Sequence, residues 1–226
     1  MSIWPQSPDG EFKDFVYEQF SRIGKALSSP PRLVILNILC QGEHTVESLS
    51  RHADLAVANL SRHLQVLKSV NLVKVRRDGK YTIYSLPDKQ TCNFFTAFKE
   101  FGFQQLFEIK AALDEISTAP SRANPVDMNE LQKLVSEDDV IILDVRPEEE
   151  YRQAHLPGAI SVPLDELELR VEELPKDKEI VAYCRGRFCI LADKAVQFLL
   201  DKGFKATRAD DGVVEWRNAG FPVEGN

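Results

Sequence analysis

A short segment in the second half of the chain, Tyr183-Cys-Arg-Gly-Arg-Phe-Cys-Ile190, has the residue types for nucleophilic sulfur chemistry. An apolar run precedes it and a helical pattern follows it, which predicts a strand-to-helix loop around Cys184. Inward-pointing backbone N–H groups and the start of a helix both favour an anion at such a position. With Arg185 and Arg187 beside it, we expect Cys184 to have a lowered pKa and to act as a nucleophile.

Cys189, at the end of this segment, has two interpretations. It is either a small buried residue at the start of the helix, or a resolving thiol that attacks a Cys184 persulfide, releasing sulfide and leaving a disulfide. A cysteine phosphatase is disfavoured, because Ile190 stands six positions after Cys184, where that chemistry usually has an arginine.

The elements around this segment predict a small α/β domain. Short apolar runs at 140–145, 160–162 and 179–183 are typical of buried parallel strands. Helical patterns lie between and after them, most clearly at 190–201. Strand–helix alternation of this kind predicts a parallel sheet covered by helices.

Residues 127–224 resemble a single-domain rhodanese. The matching segments are Leu143-Asp-Val-Arg-Pro-Glu-Glu-Glu-Tyr151, His155-Leu-Pro-Gly-Ala159, the cysteine segment and Gly212-Val-Val-Glu-Trp-Arg-Asn-Ala-Gly-Phe-Pro-Val223. The resemblance implies a sulfurtransferase without metal or organic cofactor. Cys184 would take a sulfane sulfur from thiosulfate or a persulfide, and a thiol or cyanide acceptor would remove it.

The resemblance also assigns roles to individual residues. The catalytic loop would consist of Cys184, Arg185, Gly186, Arg187, Phe188 and Cys189. It departs from the commonest rhodanese loop, since glycine stands third instead of fourth. Asp144 and Arg146 are expected to form a supporting charged pair, and His155 to fix the turn after it. An inactive rhodanese-like binding module is disfavoured, because such modules often lack the cysteine.

The net charge of -7, taken over the whole chain, argues against nucleic acid as a partner. The charge is uneven, however. Residues 1–120 contain 14 Lys+Arg and 13 Asp+Glu, a net of +1, whereas residues 121–226 contain 14 and 22, a net of -8. This asymmetry predicts two domains with different partners. We assign residues 1–118 to the first domain, 119–126 to a linker rich in small residues, and 127–226 to the second.

The sequence pattern of the first domain predicts a mainly α winged helix-turn-helix with a β-hairpin wing. Helical patterns are followed by two runs in which apolar and polar residues alternate, as in β-strands. They flank Asp78-Gly79, a favoured pair for a hairpin turn. The last segment, 88–116, predicts one long helix that contains six of the 13 phenylalanines between Phe94 and Phe107. We expect the helix before the hairpin to enter the major groove and the hairpin to contact the backbone. The DNA-binding residues would be Asn59, Ser61, Arg62, His63, Arg76, Arg77 and Lys80.

Residues 31–86 resemble the ArsR/SmtB family of bacterial repressors. The matching segments are Arg32-Leu-Val-Ile-Leu, Leu60-Ser-Arg-His-Leu-Gln-Val-Leu67, Asn71-Leu-Val73 and Arg76-Arg-Asp-Gly-Lys-Tyr-Thr-Ile-Tyr84. The resemblance implies a homodimer, joined through its first and last helices, that binds a palindromic double-stranded DNA operator. In that family, ligand binding or thiol oxidation releases the DNA.

No metal site is predicted. Thr45 and Glu47 stand where metal-responsive relatives have a Cys-x-Cys pair, and the last helix has no histidine. His44 and His52 are expected to have surface or capping roles. Cys40 and Cys92 form a possible thiol sensor, although buried inert thiols are the simpler interpretation.

The four cysteines do not make a disulfide framework, so we expect a reduced, cytoplasmic setting. No apolar run approaches the roughly 20 residues that span a bilayer, and the amino terminus does not resemble a secretory signal.

Three functions remain open. The first is a regulator that senses sulfur through its enzyme domain. The second is a sulfurtransferase whose helical domain serves mainly for dimerisation. The third is a repressor that senses through Cys40 and Cys92 and carries an independent enzyme domain.

Overall fold

The computed structural model describes residues 9–116, 124–137 and 139–225, with side chains from residue 12 onward. The chain divides into two compact units, Met1–Phe95 and Thr96–Asn226. That division falls inside a helix. The domain bounds inferred from the sequence stay predictions, and most of the 119–126 linker lies outside the described residues.

The first unit has the predicted order of helices and a hairpin. Its elements are α1 (Asp9–Leu27), α2 (Pro30–Gln41), β1 (His44–Thr45), α3 (Val46–His52), α4 (Val57–Ser69), β2 (Lys74–Asp78) and β3 (Tyr81–Ser85). Thr45 caps α3, because its Oγ1 accepts the Ser48 N–H at 3.1 Å. Leu60, Leu64 and Leu67 are fully buried, so one face of α4 packs on the core.

The wing is an antiparallel hairpin in a sheet of order β1-β3-β2. Asp78 pairs with Tyr81, so the two-residue turn is Gly79-Lys80 and not the predicted Asp78-Gly79. Gly79 has φ +55°, a left-handed conformation that glycine adopts without steric cost. The turn therefore lies one residue later than the sequence pattern indicated.

The predicted long helix at 88–116 is two helices, α5 (Lys89–Gln105) and α6 (Phe107–Ile116). The break is at Leu106, whose N–H still donates to the Gly102 carbonyl at 2.9 Å. Gly102 has a low helix propensity one turn before the break, which favours an interruption here. Several aromatic side chains of these helices are exposed, namely Phe94, Phe98, Phe101 and Phe107.

The second unit contains the predicted parallel sheet, with strand order β5-β4-β6-β7. Its elements after α6 are α7 (Met128–Leu134), β4 (Val140–Asp144), α8 (Glu148–Gln153), β5 (Ile160–Ser161), α9 (Leu167–Arg170), a 3-10 turn (Val171–Glu173), β6 (Glu179–Tyr183), α10 (Leu191–Asp201), β7 (Lys205–Arg208) and α11 (Val213–Asn218). The sequence did not indicate β7. Apolar clusters cover both faces of the sheet, as expected for buried parallel strands.

The register of the two central strands brings the candidate site together. Asp144 and Tyr183 are paired at the carboxyl ends of β4 and β6. The segments that follow therefore place Arg146 and Cys184 at the same edge of the sheet, where ligands of open α/β sheets bind. Within the described ranges, every helix is too short or too polar to cross a membrane.

Candidate functional site

Cys184 directly follows β6 and begins the loop of residues 184–189, here called the cysteine loop. Its side chain is only 2 % exposed, and its Sγ lies 3.5 Å from the Cys189 carbonyl oxygen. The Cys189 N–H donates to the Gly186 carbonyl at 3.0 Å, and Gly186 has φ +94°. This turn folds the loop so that its two cysteines face one another.

The lowered pKa belongs to Cys189, which corrects the sequence prediction for Cys184. Burial raises the pKa of the Cys184 thiol well above its ordinary value, and the hydrogen bond it donates to Cys189 adds to the shift. That hydrogen bond is also the main reason why the Cys189 pKa is about 6, and the backbone N–H groups of Leu191 and Arg185 lower it further against the effect of burial. The loop thus stabilises a thiolate, but on its second cysteine.

Arg185 is paired with Glu150 of α8. Its Nε lies 3.0 and 3.1 Å from the two carboxylate oxygens, and its Nη2 contacts the same group. Glu150 is fully buried and also approaches Arg146 Nη1 at 3.8 Å. The predicted positive group beside the thiols is therefore part of a buried ion pair, which fixes the side chain in place.

Asp144 and Arg146 form the expected charged pair, and both are fully buried. Arg146 Nη2 lies 2.6 Å from Asp144 Oδ2 and donates to the Ala154 carbonyl at 2.7 Å. The Tyr183 hydroxyl donates to Asp144 Oδ2 at 2.5 Å. These contacts join the ends of β4 and β6 to α8 under the cysteine loop.

The loop rests on Gly212 and Glu215 at the start of α11. A side-chain carbon at Gly212 would lie 2.3 Å from the Cys184 carbonyl oxygen, so only glycine fits there. Glu215 accepts the Gly212 N–H at 3.1 Å, and its carboxylate faces Gly186. Burial raises the pKa of the nearby Asp211 carboxyl to about 6, which Glu215 assists and Arg187 opposes.

Behind the loop, Arg208 at the end of β7 is 2 % exposed and pairs with Asp193 at 3.0 Å. Its charge lowers the Cys184 pKa, against the larger effect of burial. Among the described residues, Arg208 Nε is buried without a hydrogen-bond partner.

Sequence reasoning missed Glu150, Glu215 and Arg208. Glu150 lies in a quoted motif, four residues after Arg146, and this helical spacing was the available signal. The role predicted for His155, fixing the turn after it, stays a prediction. The Nδ1 of His155 lies 2.8 Å from the Tyr151 carbonyl oxygen and the His155 ring stacks on Tyr151. Phe188 is 41 % exposed at the loop surface.

The predicted DNA-binding side chains of α4 lie opposite its buried leucines. Asn59, Ser61 and Arg62 are exposed and His63 is half-buried. On the wing, Arg77 and Lys80 are exposed, and Lys80 Nζ lies 5.2 Å from the Tyr81 ring centroid. Arg76 is exposed as well.

Arg76 differs from its neighbours because it is paired within the protein. It forms ion pairs with Glu43 and with Asp78, the latter at 3.0 Å. These carboxylates raise the Arg76 pKa, the Glu43 hydrogen bond contributing most. They also offset its charge, so Arg76 presents less positive charge to a phosphate than the sequence indicated.

The possible sensor cysteines and the two neighbouring histidines lie in the first unit. Cys40 on α2 and Cys92 on α5 are both buried, at 5 and 4 % exposure. His44 is also buried, which excludes its predicted surface role, and its Nδ1 lies 2.9 Å from Ser48 Oγ. Its ring meets that of His52 edge-on.

A winged helix-turn-helix with a separate parallel sheet and cysteine loop defines a DNA-binding regulator with a rhodanese-like domain. Two family models match these parts, "Bacterial regulatory protein, arsR family" at residues 29–75 and "Rhodanese-like domain" at residues 127–219. The HTH-type transcriptional regulator Rv0324 of Mycobacterium tuberculosis is 38% identical over 212 residues, 94% of this chain and 93% of that protein. The chain therefore belongs to the HTH-type transcriptional regulators of the ArsR family that carry a rhodanese-like domain.

Two further relatives match one part each. A sulfurtransferase of Allochromatium vinosum is 29% identical over 102 residues, covering 44% of this chain and 94% of that protein. A solution NMR structure of the homodimeric winged helix-turn-helix DNA-binding domain of Mb0332 from Mycobacterium bovis has 31% sequence identity to this chain. It covers 45% of this chain and 94% of that fragment, with a TM-score of 0.42.

Proposed function

We propose that this regulator carries a sulfane sulfur on Cys184 and that this sulfur load sets its affinity for an operator. The observation that carries the proposal is the cysteine loop, in which the buried Cys184 follows β6 and its Sγ lies 3.5 Å from the Cys189 carbonyl oxygen, just before α10. The donor would be thiosulfate or a small persulfide, and the acceptor a small thiol.

The DNA-binding part of the proposal rests on α4 and the wing. Exposed Asn59, Arg62 and Arg77 have the side chains that contact base edges and phosphates. The exposed phenylalanines of α5 and α6 and the half-exposed Phe12 of α1 provide apolar surface for the predicted homodimer. Operator binding would place the protein in the cytoplasm.

Sulfur loading is tested by mass spectrometry of the full chain after incubation with thiosulfate or glutathione persulfide. We expect a gain of sulfur on the tryptic peptide that contains Cys184, or a disulfide between that peptide and the Cys189 peptide, and neither product in Cys184→Ser. Cys92→Ser serves as the matched control, since it removes a buried thiol elsewhere. Equal sulfur gain in wild type and Cys184→Ser would overturn the proposal.

A further inference from the structure

The cysteine loop holds a second sulfur that the sulfurtransferase reaction does not itself require. Cys184 Sγ lies 3.5 Å from the carbonyl oxygen of Cys189, so the two cysteines are neighbours across the loop, and the Cys184 thiol is the main cause of the lowered Cys189 pKa. The turn from Gly186 to Cys189 keeps them on the same side of the loop. Cys189 is half-buried, whereas Cys184 is buried.

We propose that Cys189 attacks a persulfide on Cys184, so that the loop closes a Cys184–Cys189 disulfide and releases sulfide. This inference rests on the proposed function, because it requires a sulfane sulfur on Cys184. It turns the loop from a sulfur carrier into a dithiol that consumes the sulfur it accepts.

In the loading step, Cys184 Sγ bonds to the outer sulfur of thiosulfate while the sulfur–sulfur bond of thiosulfate breaks. Sulfite leaves with the electron pair of that bond. The proton of Cys184 moves along the existing hydrogen bond to the Cys189 thiolate, which is the base in this step. With glutathione persulfide as donor, the leaving group is the glutathione thiolate.

In the resolving step, Cys189 Sγ bonds to Cys184 Sγ, and the bond from Cys184 to the sulfane sulfur breaks. The outer sulfur leaves with the electron pair and takes the Cys189 proton, which gives hydrosulfide. The two cysteine sulfurs are oxidised and the sulfane sulfur is reduced, so the step needs no other oxidant. The N–H groups of Leu191 and Ala192 at the start of α10 favour the negative charge throughout.

The sequence makes the test direct, because trypsin cleaves after Lys178, Arg185, Arg187 and Lys194. Cys184 and Cys189 therefore fall on separate peptides, 179–185 and 188–194, which only a disulfide can join. The full chain is treated with thiosulfate or glutathione persulfide without other reductant. Released sulfide and the joined peptides are then measured in wild type, Cys189→Ser and Cys189→Ala.

We expect wild type to release sulfide and to yield the joined peptides. Both Cys189 variants should lose these products and accumulate the Cys184 persulfide, although they load more slowly because water replaces Cys189 as the base. Equal persulfide in wild type and both variants, with no joined peptides, would overturn this inference but leave the proposed function intact. No sulfur on Cys184 in wild type or in either folded variant, with either donor, would overturn both.

Discussion

Glu150 of α8 holds Arg185 of the cysteine loop through a bidentate ion pair, although Glu150 is fully buried. The same carboxylate lies 3.8 Å from Arg146, which is bound to Asp144 at the end of β4. One glutamate thus joins the loop to the neighbouring strand. The position of the thiols depends on this network, because Arg185 directly follows Cys184 in the loop and Arg146 is fully buried beneath it in the same ion-pair network.

Replacing Glu150 with Gln removes this charge while keeping the side-chain shape. Arg185 then loses its buried partner, and breaking a buried pair costs about 3–5 kcal/mol of folding free energy. We expect a lower denaturation midpoint and slower sulfur transfer to cyanide, measured by urea unfolding and a thiocyanate assay. Exposed Glu172 is the control, and a loss from Glu172→Gln equal to that from Glu150→Gln would contradict this role.

Gly212→Ala should displace the cysteine loop. The new carbon would lie 2.3 Å from the Cys184 carbonyl oxygen, so either the loop or α11 has to shift. We expect sulfur transfer to fall strongly while the DNA-binding domain remains folded. Gly24→Ala in α1 is the control, because nothing lies within 4 Å of the added carbon. Unchanged transfer in Gly212→Ala would show that the loop tolerates the movement.

The reactivity of the cysteine pair should depend on pH around the Cys189 pKa of about 6. A lowered thiol pKa means that the thiolate is present above that pH and is lost as the pH falls through it. Alkylation by iodoacetamide, followed on peptide 188–194, should therefore rise near pH 6 in wild type. In Cys184→Ala the rise should move to higher pH, because the hydrogen bond from the Cys184 thiol supplies the largest lowering effect and alanine has no donor. A wild-type rise only at the ordinary thiol pKa would contradict this assignment.

The wing should contact phosphate through Arg77. Arg77→Ala is expected to weaken DNA binding across sequences and to reduce the salt slope of log affinity by about 1. Glu43→Gln should act in the opposite direction, because it releases the charge of Arg76 from an internal partner. Fluorescence anisotropy at several salt concentrations measures both effects. An unchanged slope in Arg77→Ala would contradict a phosphate contact by Arg77.

The fold could be predicted where the pattern was local and strong. The apolar runs at 140–145 and 179–183 form the strands β4 and β6, as predicted. The break at Leu106 and the strand β7 were missed, because a continuous helical pattern and a short Lys-Ala-Thr-Arg run give no clear signal.

The site could be predicted only in part, because its electrostatics depend on contacts between distant segments. The sequence placed Cys184 in its loop, but Glu150 is 35 residues from Arg185, with which it pairs. The assignment of the thiolate to Cys189 depends first on the hydrogen bond from the Cys184 thiol and then on the N–H groups of Leu191 and Arg185. Residue types and spacing do not contain that information.

The central claim is that the sulfur load on Cys184 sets operator affinity. A duplex selected from a random-sequence library by the wild-type protein provides the probe. Its Kd is measured before and after glutathione persulfide treatment, in wild type and in Cys184→Ser. We predict weaker binding after treatment in wild type and no change in Cys184→Ser. An equal change in both proteins would contradict the claim and favour Cys40 and Cys92 as the sensor, and an unchanged wild-type Kd would separate the enzyme from DNA binding altogether.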